Sequence, residues 1–390
     1  MNILFTYPTL FNPMVGGAER VTDLLARALS ARGHNVFYLN NKPDKALSSF
    51  NSPGCQAYFP YKDYKDKRNI PFYTDYLLKN DIDIIVNQCG AFRDSILYNF
   101  RDNTNAKVVS VIHMMPYQNY DHLFSEISVL KNRSLTERIK RLARIVIYPK
   151  IKRDYHLRLQ SHYTWLGAEN NTDSIVVLSE SFKDDLFRLA PNMNSSLITS
   201  IANPLSYTIE RGLPKNKTIL YVGRLDTCQK RVDRLIRIWK KISCDMPEWN
   251  LKIIGDGPDK KKLEYMSRRL DRISFLGFQN PEPYYREASI LCMTSNHEGF
   301  GMVLIEAMSK GCLPIAFDSF SSIHDIIKDP RQLVRPFSIK EYTNKLMTLM
   351  TDEQLRSSLV NSCYSNVENF KIDHIVNQWE NLFFTLKNNK

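Results

Sequence analysis

Short apolar runs alternate with helical segments along this chain, and the alternation starts afresh halfway. In the first half, VFYL at 36–39, DIIV at 83–86, KVVSVIH at 107–113 and SIVVLS at 174–179 have the length and β-branched content of buried strands. Between such runs, AERVTDLLARALSARGH at 18–34 has its apolar residues on one helical face. Strands that alternate with helices indicate a parallel sheet covered on both faces. The sequence therefore predicts an α/β fold with doubly wound sheets.

A strong turn signal, Asn203-Pro204, separates the two halves. After it the pattern restarts at TILYVG (218–223) and continues through further strands and helices. A chain of 390 residues is also too long for one ordinary domain and suits two. We expect an N-terminal domain, a C-terminal domain and a final helix that packs back on the first domain. Their predicted bounds are 1–205, 206–372 and 373–390.

Composition excludes several other classes of protein. Apolar residues make up 43% and charged residues 24%, which fits a globular protein and excludes a disordered or fibrous one. The seven cysteines are scattered and form no CxxC pair, so neither a disulfide framework nor a zinc site is indicated. No run reaches about 18 consecutive apolar residues, and the first residues lack a basic leader with a small-residue cleavage site. We therefore expect a cytoplasmic protein with reduced thiols.

A basic segment at 131–158 holds much of the positive charge. It has ten Lys or Arg against two acidic residues, an excess of +8 within a net charge of +12. Leu135, Ile139, Leu142 and Val146 within it are spaced as on one stripe of a helix. A basic amphipathic helix can lie on an anionic membrane surface, or its stripe can pack on the domain core while the charges face water. No DNA- or RNA-binding pattern accompanies the segment, so a nucleic-acid partner is not expected.

The segment SNHEGFGMVLIEAMSKGCLPIAFD at 295–318 has the pattern strand, glycine loop, helix, strand. The first backbone N–H groups of the predicted helix, at Phe300, Gly301, Met302 and Val303, have no partner within the helix. Together with the helix dipole they form a binding site for an anion such as a diphosphate. Glycine in the loop lets a ligand approach the backbone closely.

Two carboxylates flank this predicted anion site. Glu298 precedes the helix and Glu306 lies inside it, with a side chain that leans back toward the amino end. Acids beside a diphosphate are unfavourable unless they accept hydrogen bonds from hydroxyl groups, which a nucleotide sugar supplies from both its ribose and its hexose. Arg224 and Lys230 follow the strand ILYVG and are suitable cations for the phosphates.

These segments together resemble the retaining glycosyltransferases of the GT-B fold, glycosyltransferase family 4. Glu298 and Glu306 form the E-x7-E motif within EGFGMVLIEAMSKG, and further matching segments occur along nearly the whole chain. They are GGAER at 16–20, IANP at 201–204, GRLDTCQKRVDRLI at 223–236 and IIGDGP at 253–258. The resemblance implies two Rossmann-like domains that face a central cleft, with the acceptor bound by the first domain and the nucleotide sugar by the second.

The resemblance also implies roles for the residues of the C-terminal half. It assigns Glu306 to the ribose hydroxyls, and Glu298 with the backbone of 300–303 to the transferred sugar and its phosphate. Arg224 and Lys230 are expected to hold the diphosphate. Each has an ordinary alternative: Glu306 as a solvated helix glutamate, Glu298 as a helix-capping acid, and the two cations as surface charges.

In the N-terminal half the resemblance assigns His113 to a position near the donor sugar. It assigns Gly16 and Gly17 to a loop that closes on the phosphates and shapes the acceptor pocket. His113 has the alternative of a core histidine whose hydrogen bonds are satisfied. Enzymes of this fold generally work without a metal, so neither a metal nor a cofactor is expected.

The function implied is transfer of a hexose from a nucleotide diphosphate sugar, with a UDP-sugar favoured, to a lipid-linked oligosaccharide of a bacterial surface polysaccharide. Such an enzyme would lie on the inner face of the plasma membrane. A non-catalytic subunit that binds nucleotide sugars or lipid-linked glycans remains the alternative. A nicotinamide-dependent oxidoreductase is disfavoured because Gly16-Gly17 lacks the G-x-G-x-x-G pattern. After Asp318, relatives that act on undecaprenyl-linked substrates often have Gly-Pro, whereas this chain has Ser321, Ser322 and Ile323, so the identity of the sugar stays open.

Overall fold

A computed structural model describes residues 1–388 except 8–10, 14–15, 42–52, 62, 64, 91–98, 102, 117–134 and 169–170. The chain divides into two compact units. The N-terminal unit comprises Met1–Pro116, Arg153–Ser206 and Lys371–Lys390, and the C-terminal unit comprises Tyr117–Lys152 and Tyr207–Phe370.

The N-terminal unit is built on a parallel sheet of seven strands in the order β3-β2-β1-β4-β5-β6-β7. The strands are β1 Asn2–Tyr7, β2 Asn35–Asn40, β3 Cys55–Tyr58, β4 Ile84–Asn87, β5 Lys107–Ile112, β6 Ser174–Val177 and β7 Ile198–Ser200. The helices from the start of the chain to the end of this sheet are α1 Gly17–Ala31, α2 Ile70–Lys79, α3 Leu135–Val146, α4 Tyr148–Leu166 and α5 Ser181–Leu189.

Alternation along β1 places apolar side chains on both faces of the sheet. Ile3 and Phe5 join the core cluster under α1, whereas Leu4 joins the cluster under α2. A strand that is buried on both faces has a nearly continuous run of apolar residues. The run ILF within NILFTY is therefore typical of a central parallel strand and not of an edge strand.

The C-terminal helix, α13 Ile372–Asn388, covers one face of the N-terminal sheet. Its residues Val376, Trp379 and Phe383 belong to the same core cluster as α1. At its side, Glu380 pairs with Arg32 at 2.6 Å and with His34 at 2.9 Å. The predicted return of the last helix to the first domain is confirmed.

The C-terminal unit repeats the design with six parallel strands in the order β10-β9-β8-β11-β12-β13. The strands are β8 Asn216–Val222, β9 Asn250–Ile254, β10 Ile273–Gly277, β11 Ala288–Met293, β12 Leu313–Phe317 and β13 Leu333–Val334. The helices are α6 Val232–Ile242, α7 Lys260–Ser267, α8 Glu282–Glu287, α9 Met302–Ser309, α10 Ile323–Ile326, α11 Ile339–Thr351 and α12 Glu353–Val367. The prediction of two doubly wound Rossmann-like sheets is therefore confirmed.

The basic segment forms α3 and the start of α4, with residues 131–134 outside the described part of the chain. The side chains of Ile139, Leu142 and Val146 are 58%, 63% and 78% exposed. These three side chains therefore do not pack on a domain core, which is one of the two alternatives that the sequence leaves open for the stripe. Among the described residues, no helix is long and apolar enough to cross a membrane.

Candidate active site

The candidate site lies at the carboxyl ends of β8 and β11, two neighbouring strands of the C-terminal sheet. Arg224 and Lys230 follow β8, and Glu298 follows β11. Strand β8 pairs with β9, the next strand along the chain, at one edge and with β11 at its other edge. Strand order reverses at this point, and in open α/β sheets ligands bind in the crevice outside such a reversal.

Lys230 and Glu298 form a direct ion pair although they are 68 residues apart in sequence. The Lys230 ammonium lies 2.8 Å and 2.7 Å from the two carboxylate oxygens of Glu298. Ser295 Oγ donates to the same carboxylate at 2.6 Å, and the Glu298 residue is only 6% exposed. A buried charge of this kind requires a partner, so the pair is a structural unit. Glu298 is therefore not a helix-capping acid.

The loop that carries both cations is organised by Asp226, which the sequence analysis missed. Its Oδ1 accepts the backbone N–H groups of Cys228, Gln229 and Lys230 at 3.1, 2.7 and 2.9 Å. Its Oδ2 accepts Nε of Arg224 at 2.8 Å. Burial raises the pKa of Asp226, but these hydrogen bonds together outweigh burial and lower the pKa. An aspartate before a helix start is a common turn and cap signal, which could have identified it.

Further hydrogen bonds tie this loop to the loop after β11. Asn296 N–H donates to the Gln229 carbonyl, and Asn296 Nδ2 donates to the Cys228 carbonyl, both at 2.7 Å. Gln229 also links Arg224 to the His297 carbonyl through its side-chain amide. The Arg224 side chain remains 60% exposed, so its guanidinium is accessible to a ligand.

The helix α9 begins beside the ion pair. Gly301 caps it with φ +95°, a left-handed conformation that favours glycine. Within this turn Leu304 N–H bonds to the Gly301 carbonyl at 2.8 Å. The N–H groups of 300–303 show no hydrogen-bond partner among the described residues. Unpartnered N–H groups at the positive end of a helix dipole are what an anion needs, and the binding of a diphosphate here stays a prediction.

Glu306 lies inside α9 and is fully buried. Its Oε2 accepts a hydrogen bond from the hydroxyl of Tyr285, on α8, at 3.1 Å. It is therefore not a solvated helix glutamate, and its assignment to the ribose hydroxyls stays a prediction.

His113 follows β5 in the N-terminal unit. Its Nε2 lies 2.5 Å from Oε1 of Gln88, and burial lowers the pKa of His113 to about 4, so the ring is neutral at physiological pH. With Nε2–H donating to the amide oxygen, Nδ1 carries a lone pair. This Nδ1 is buried and has no partner in the described part of the chain, unlike a core histidine whose hydrogen bonds are all made.

Gly16 and Gly17 lie at the amino end of α1, after the carboxyl end of β1. A Cβ added to Gly16 would collide with the Glu19 carboxylate, whereas Gly17 faces open space. A side chain at position 16 would therefore displace Glu19. The role of both glycines near phosphates or acceptor stays a prediction.

Among the described residues, no group of three or more His, Cys, Asp or Glu side chains is placed to hold a metal ion. The acids of the site are instead paired with a lysine, with hydroxyl groups or with backbone N–H groups.

Two Rossmann-like units, with paired acids beside a helix start in the second, are the features of a glycosyltransferase of the GT-B fold. The structure of Anabaena HepE in complex with UDP and glucose has this fold, with a TM-score of 0.68 at 16% identity over 99% of this chain and 100% of that one. Family models described as Glycosyltransferase Family 4 and Glycosyl transferases group 1 match residues 15–205 and 209–365. The chain belongs to the family 4, or group 1, glycosyltransferases.

Two relatives illustrate the range of the similarity. An uncharacterized glycosyltransferase of Haemophilus influenzae is 26% identical over 94% of this chain and 96% of its own length. A Campylobacter jejuni α-1,4-N-acetyl-D-galactosaminyltransferase, named for the acceptor GalNAc-α-(1→4)-GalNAc-α-(1→3)-diNAcBac-PP-undecaprenol, is 30% identical over 48% of this chain and 55% of its own length.

Proposed function

We propose that this chain is a retaining, metal-independent hexosyltransferase that uses a nucleotide diphosphate sugar, with a UDP-sugar favoured. Its acceptor is a lipid-linked oligosaccharide of a surface polysaccharide, met at the inner face of the plasma membrane. The ion pair of Lys230 with Glu298 beside the start of α9 carries this proposal. The ion pair and the helix start together place a cation, unpartnered backbone N–H groups and a carboxylate that can accept a hydroxyl hydrogen bond close to one another.

In the proposed reaction, the protein acts mainly by stabilising charge. The bond between the sugar and the β-phosphate breaks, and the N–H groups of 300–303 with Arg224 and Lys230 stabilise the departing diphosphate. Lys230 exchanges one Glu298 oxygen for a phosphate oxygen, and the freed oxygen accepts a sugar hydroxyl. The leaving phosphate takes the proton of the attacking acceptor hydroxyl on the same face, so configuration is retained without a protein nucleophile.

His113 has the acceptor atom that a sugar hydroxyl needs. Because its pKa is lowered to about 4, the imidazole is neutral, so Nδ1 keeps the lone pair that accepts a hydrogen bond. In our proposal Nδ1 accepts a hydroxyl of the transferred hexose, which holds the anomeric carbon in line for attack.

The lipid-linked acceptor is supported by the surface of α3 and by one relative. Exposed Ile139, Leu142 and Val146 share their segment with an excess of basic residues, as in helices that lie on anionic bilayers. The Campylobacter relative is named for an undecaprenol-linked acceptor. UDP as the favoured nucleotide is supported by the UDP bound to the fold relative HepE.

Thermal shift against UDP-, GDP-, ADP- and TDP-sugars tests the donor. A true donor at about 100 times its Kd stabilises the folded protein by about 2.7 kcal/mol. We expect a UDP-sugar to raise the Tm most. If no nucleotide sugar raises it, the proposed function is wrong.

Donor hydrolysis separates an enzyme from a binding subunit. We expect the wild type to cleave its donor slowly and Glu298→Gln to lose at least about 100-fold of that rate, since the amide can no longer pair with Lys230 or accept as an anion. Glu248→Gln, which changes an exposed acid of the same unit that pairs with Lys217, is the control that keeps the rate. Donor binding without any cleavage by the wild type would favour the non-catalytic subunit.

A further inference from the structure

A cleft with a volume of about 400 Å³ opens in the C-terminal unit, away from the candidate active site. Lys215, Ser289 and Gly311 line it, and they lie just before or at the start of β8, β11 and β12. The cleft is therefore at the amino ends of these strands, whereas the candidate active site is at their carboxyl ends. Strand β8 has seven residues with a rise of about 3.3 Å each, so about 20 Å of sheet separate the two places.

The first turns of α12 form one wall of this cleft. Glu353, Arg356 and Ser357 line it from that helix, whereas Ser362 on the same helix is exposed and lies outside the lining. The volume is in the range that small organic ligands occupy in proteins. The cleft is thus large enough to be a ligand site of its own.

Arg356 is a half-buried cation at this wall, and it has no carboxylate partner among the described residues. Its Nη1 donates to the carbonyls of Leu349 and Met350, in the last turn of α11, at 2.7 and 3.3 Å. Its Nε and Nη2 make no hydrogen bond to the described part of the chain, and neither nitrogen is enclosed by protein. Burial lowers the pKa of Arg356 and outweighs the attraction of Glu353 and Asp352. Two donors of this guanidinium therefore remain accessible.

Lys215 is a second cation of the cleft that forms no ion pair within the described ranges. Its ammonium donates to the carbonyls of Tyr285, Arg286 and Lys310 at 2.9, 2.8 and 2.6 Å. These bonds use all three N–H donors of the lysine but supply no full negative charge. Burial accordingly lowers the pKa of Lys215. Lys215 can therefore attract an anion by its charge, although it has no donor left to bind it.

The other charged side chains of the cleft do not balance these two cations. Lys217 also lines the cleft, and it pairs with Glu248, which is exposed. Glu353 is the one acid among the described lining residues, and it is exposed and pairs with neither Arg356 nor Lys215. Partly buried charges are unfavourable without a counter-charge. An anion in the cleft would supply the counter-charge that Arg356 and Lys215 lack.

We propose that this cleft binds a small phosphate ester, with Arg356 donating hydrogen bonds to the phosphate and Lys215 adding positive charge. The planar guanidinium has N–H donors whose spacing matches phosphate oxygens. The cleft is larger than a phosphate, and Ser357 and Asn361 offer polar contacts to the rest of such a ligand. This site is separate from the proposed nucleotide site and goes beyond the proposed function.

Calorimetric titration with glycerol 3-phosphate and inorganic phosphate tests the proposal, with glycerol as the uncharged counterpart. We expect both phosphates, but not glycerol, to bind the wild type. Ser357→Glu places a carboxylate in the cleft, and we expect it to weaken the binding of glycerol 3-phosphate at least about tenfold by charge repulsion. Ser362→Glu is the matched control, because it adds the same charge to an exposed position of α12 outside the lining.

Glu353→Gln provides a test in the opposite direction. It removes the acid of the lining, and we expect it to tighten the binding of glycerol 3-phosphate about threefold, since a repulsive charge is lost. A variant that fails to fold cannot produce this gain. Unchanged or weaker binding by folded Glu353→Gln would contradict the proposal.

Arg224→Ala separates this cleft from the candidate active site. We expect it to leave the binding of glycerol 3-phosphate unchanged, because Arg224 follows the carboxyl end of β8. A loss in Arg224→Ala as large as that in Ser357→Glu overturns the inference, as do equal losses in Ser357→Glu and Ser362→Glu. No binding of either phosphate by the wild type also overturns it. Nucleotide binding is measured separately, so the inference and the proposed function can fail independently.

Discussion

One carboxylate, that of Asp226, determines where both proposed phosphate-binding cations lie. Three backbone N–H groups and the Arg224 guanidinium converge on it, and the N–H of Lys230 is one of the three. The loop consequently continues to Arg231, and α6 begins at Val232. Arg231 itself has φ +52°, a strained conformation that this compact loop imposes.

We expect Asp226→Ala to weaken nucleotide diphosphate binding by about tenfold or more, because several hydrogen bonds to a charged group are lost together. Calorimetric titration measures the affinity. Asp329→Ala is the control: Asp329 also accepts a backbone N–H and a guanidinium, both from Arg331, but at an exposed turn. Equal losses of affinity in the two variants would contradict a specific role for Asp226.

The same carboxylate predicts a pH dependence. The pKa of Asp226 is lowered in the folded state, so its stabilising contribution is present above the ordinary pKa of aspartate and is lost as pH falls through the lowered value. Wild-type unfolding free energy should therefore decline in acid more steeply than that of Asp226→Ala. Denaturant unfolding of both proteins across the acidic range measures the difference, and parallel pH profiles would refute it.

The helix α3 has an apolar stripe that the local sequence predicts and that the structure leaves exposed at Ile139, Leu142 and Val146. The side chains of these three residues are more than half exposed, and basic residues follow on α4. Apolar side chains in water are unfavourable, so a further apolar surface that covered the stripe would stabilise the helix. An anionic bilayer offers both an apolar interior and negative charge.

We expect reversal of four exposed basic residues of this segment to reduce binding to phosphatidylglycerol vesicles at least about tenfold, since each contributes roughly 1 kcal/mol near such a surface. The four changes are Arg144→Glu, Lys150→Glu, Arg153→Glu and Arg158→Glu. Co-sedimentation with phosphatidylglycerol and phosphatidylcholine vesicles measures binding, while transfer to a short water-soluble acceptor should be unchanged.

A variant with the same change of net charge elsewhere controls for charge alone. It carries Lys240→Glu, Lys241→Glu, Lys261→Glu and Lys340→Glu, all at exposed positions. Unchanged vesicle binding by the α3–α4 variant, or an equal loss in the control, would rule out a membrane role for this segment.

The C-terminal helix α13 packs on the N-terminal sheet and so brings the last described residues of the chain back to its first strands. Phe383 is fully buried in the cluster with Trp379 and the strands β1 and β2, whereas its neighbour Phe384 is 50% exposed. The core of the N-terminal unit is thus completed by residues more than 300 positions away from its first strand.

We expect Phe383→Ala to lower the unfolding free energy by about 3–5 kcal/mol, as for other large-to-small changes in a core. Phe384→Ala should cost under about 1 kcal/mol because half of its ring is already in water. Urea unfolding followed by fluorescence compares the two. Equal effects would show that α13 does not complete this core.

Much of the architecture follows from local sequence. Apolar runs of strand length and helices with one apolar face are set by residues a few positions apart, so two doubly wound sheets and the last helix are predictable. The proposed donor-binding segment can be found for the same reason, because Glu298, the helix start and Glu306 occupy one continuous stretch of sequence.

Tertiary structure alone decided which distant groups meet. Neighbouring positions of β8 and β11 in the sheet bring Lys230 to Glu298, and the packing of α8 on α9 brings Tyr285 to Glu306. Local spacing carries no information about strand order or about which helix faces pack together. Local spacing also does not show whether other elements cover the apolar stripe of α3, because burial depends on how the rest of the chain packs against that helix.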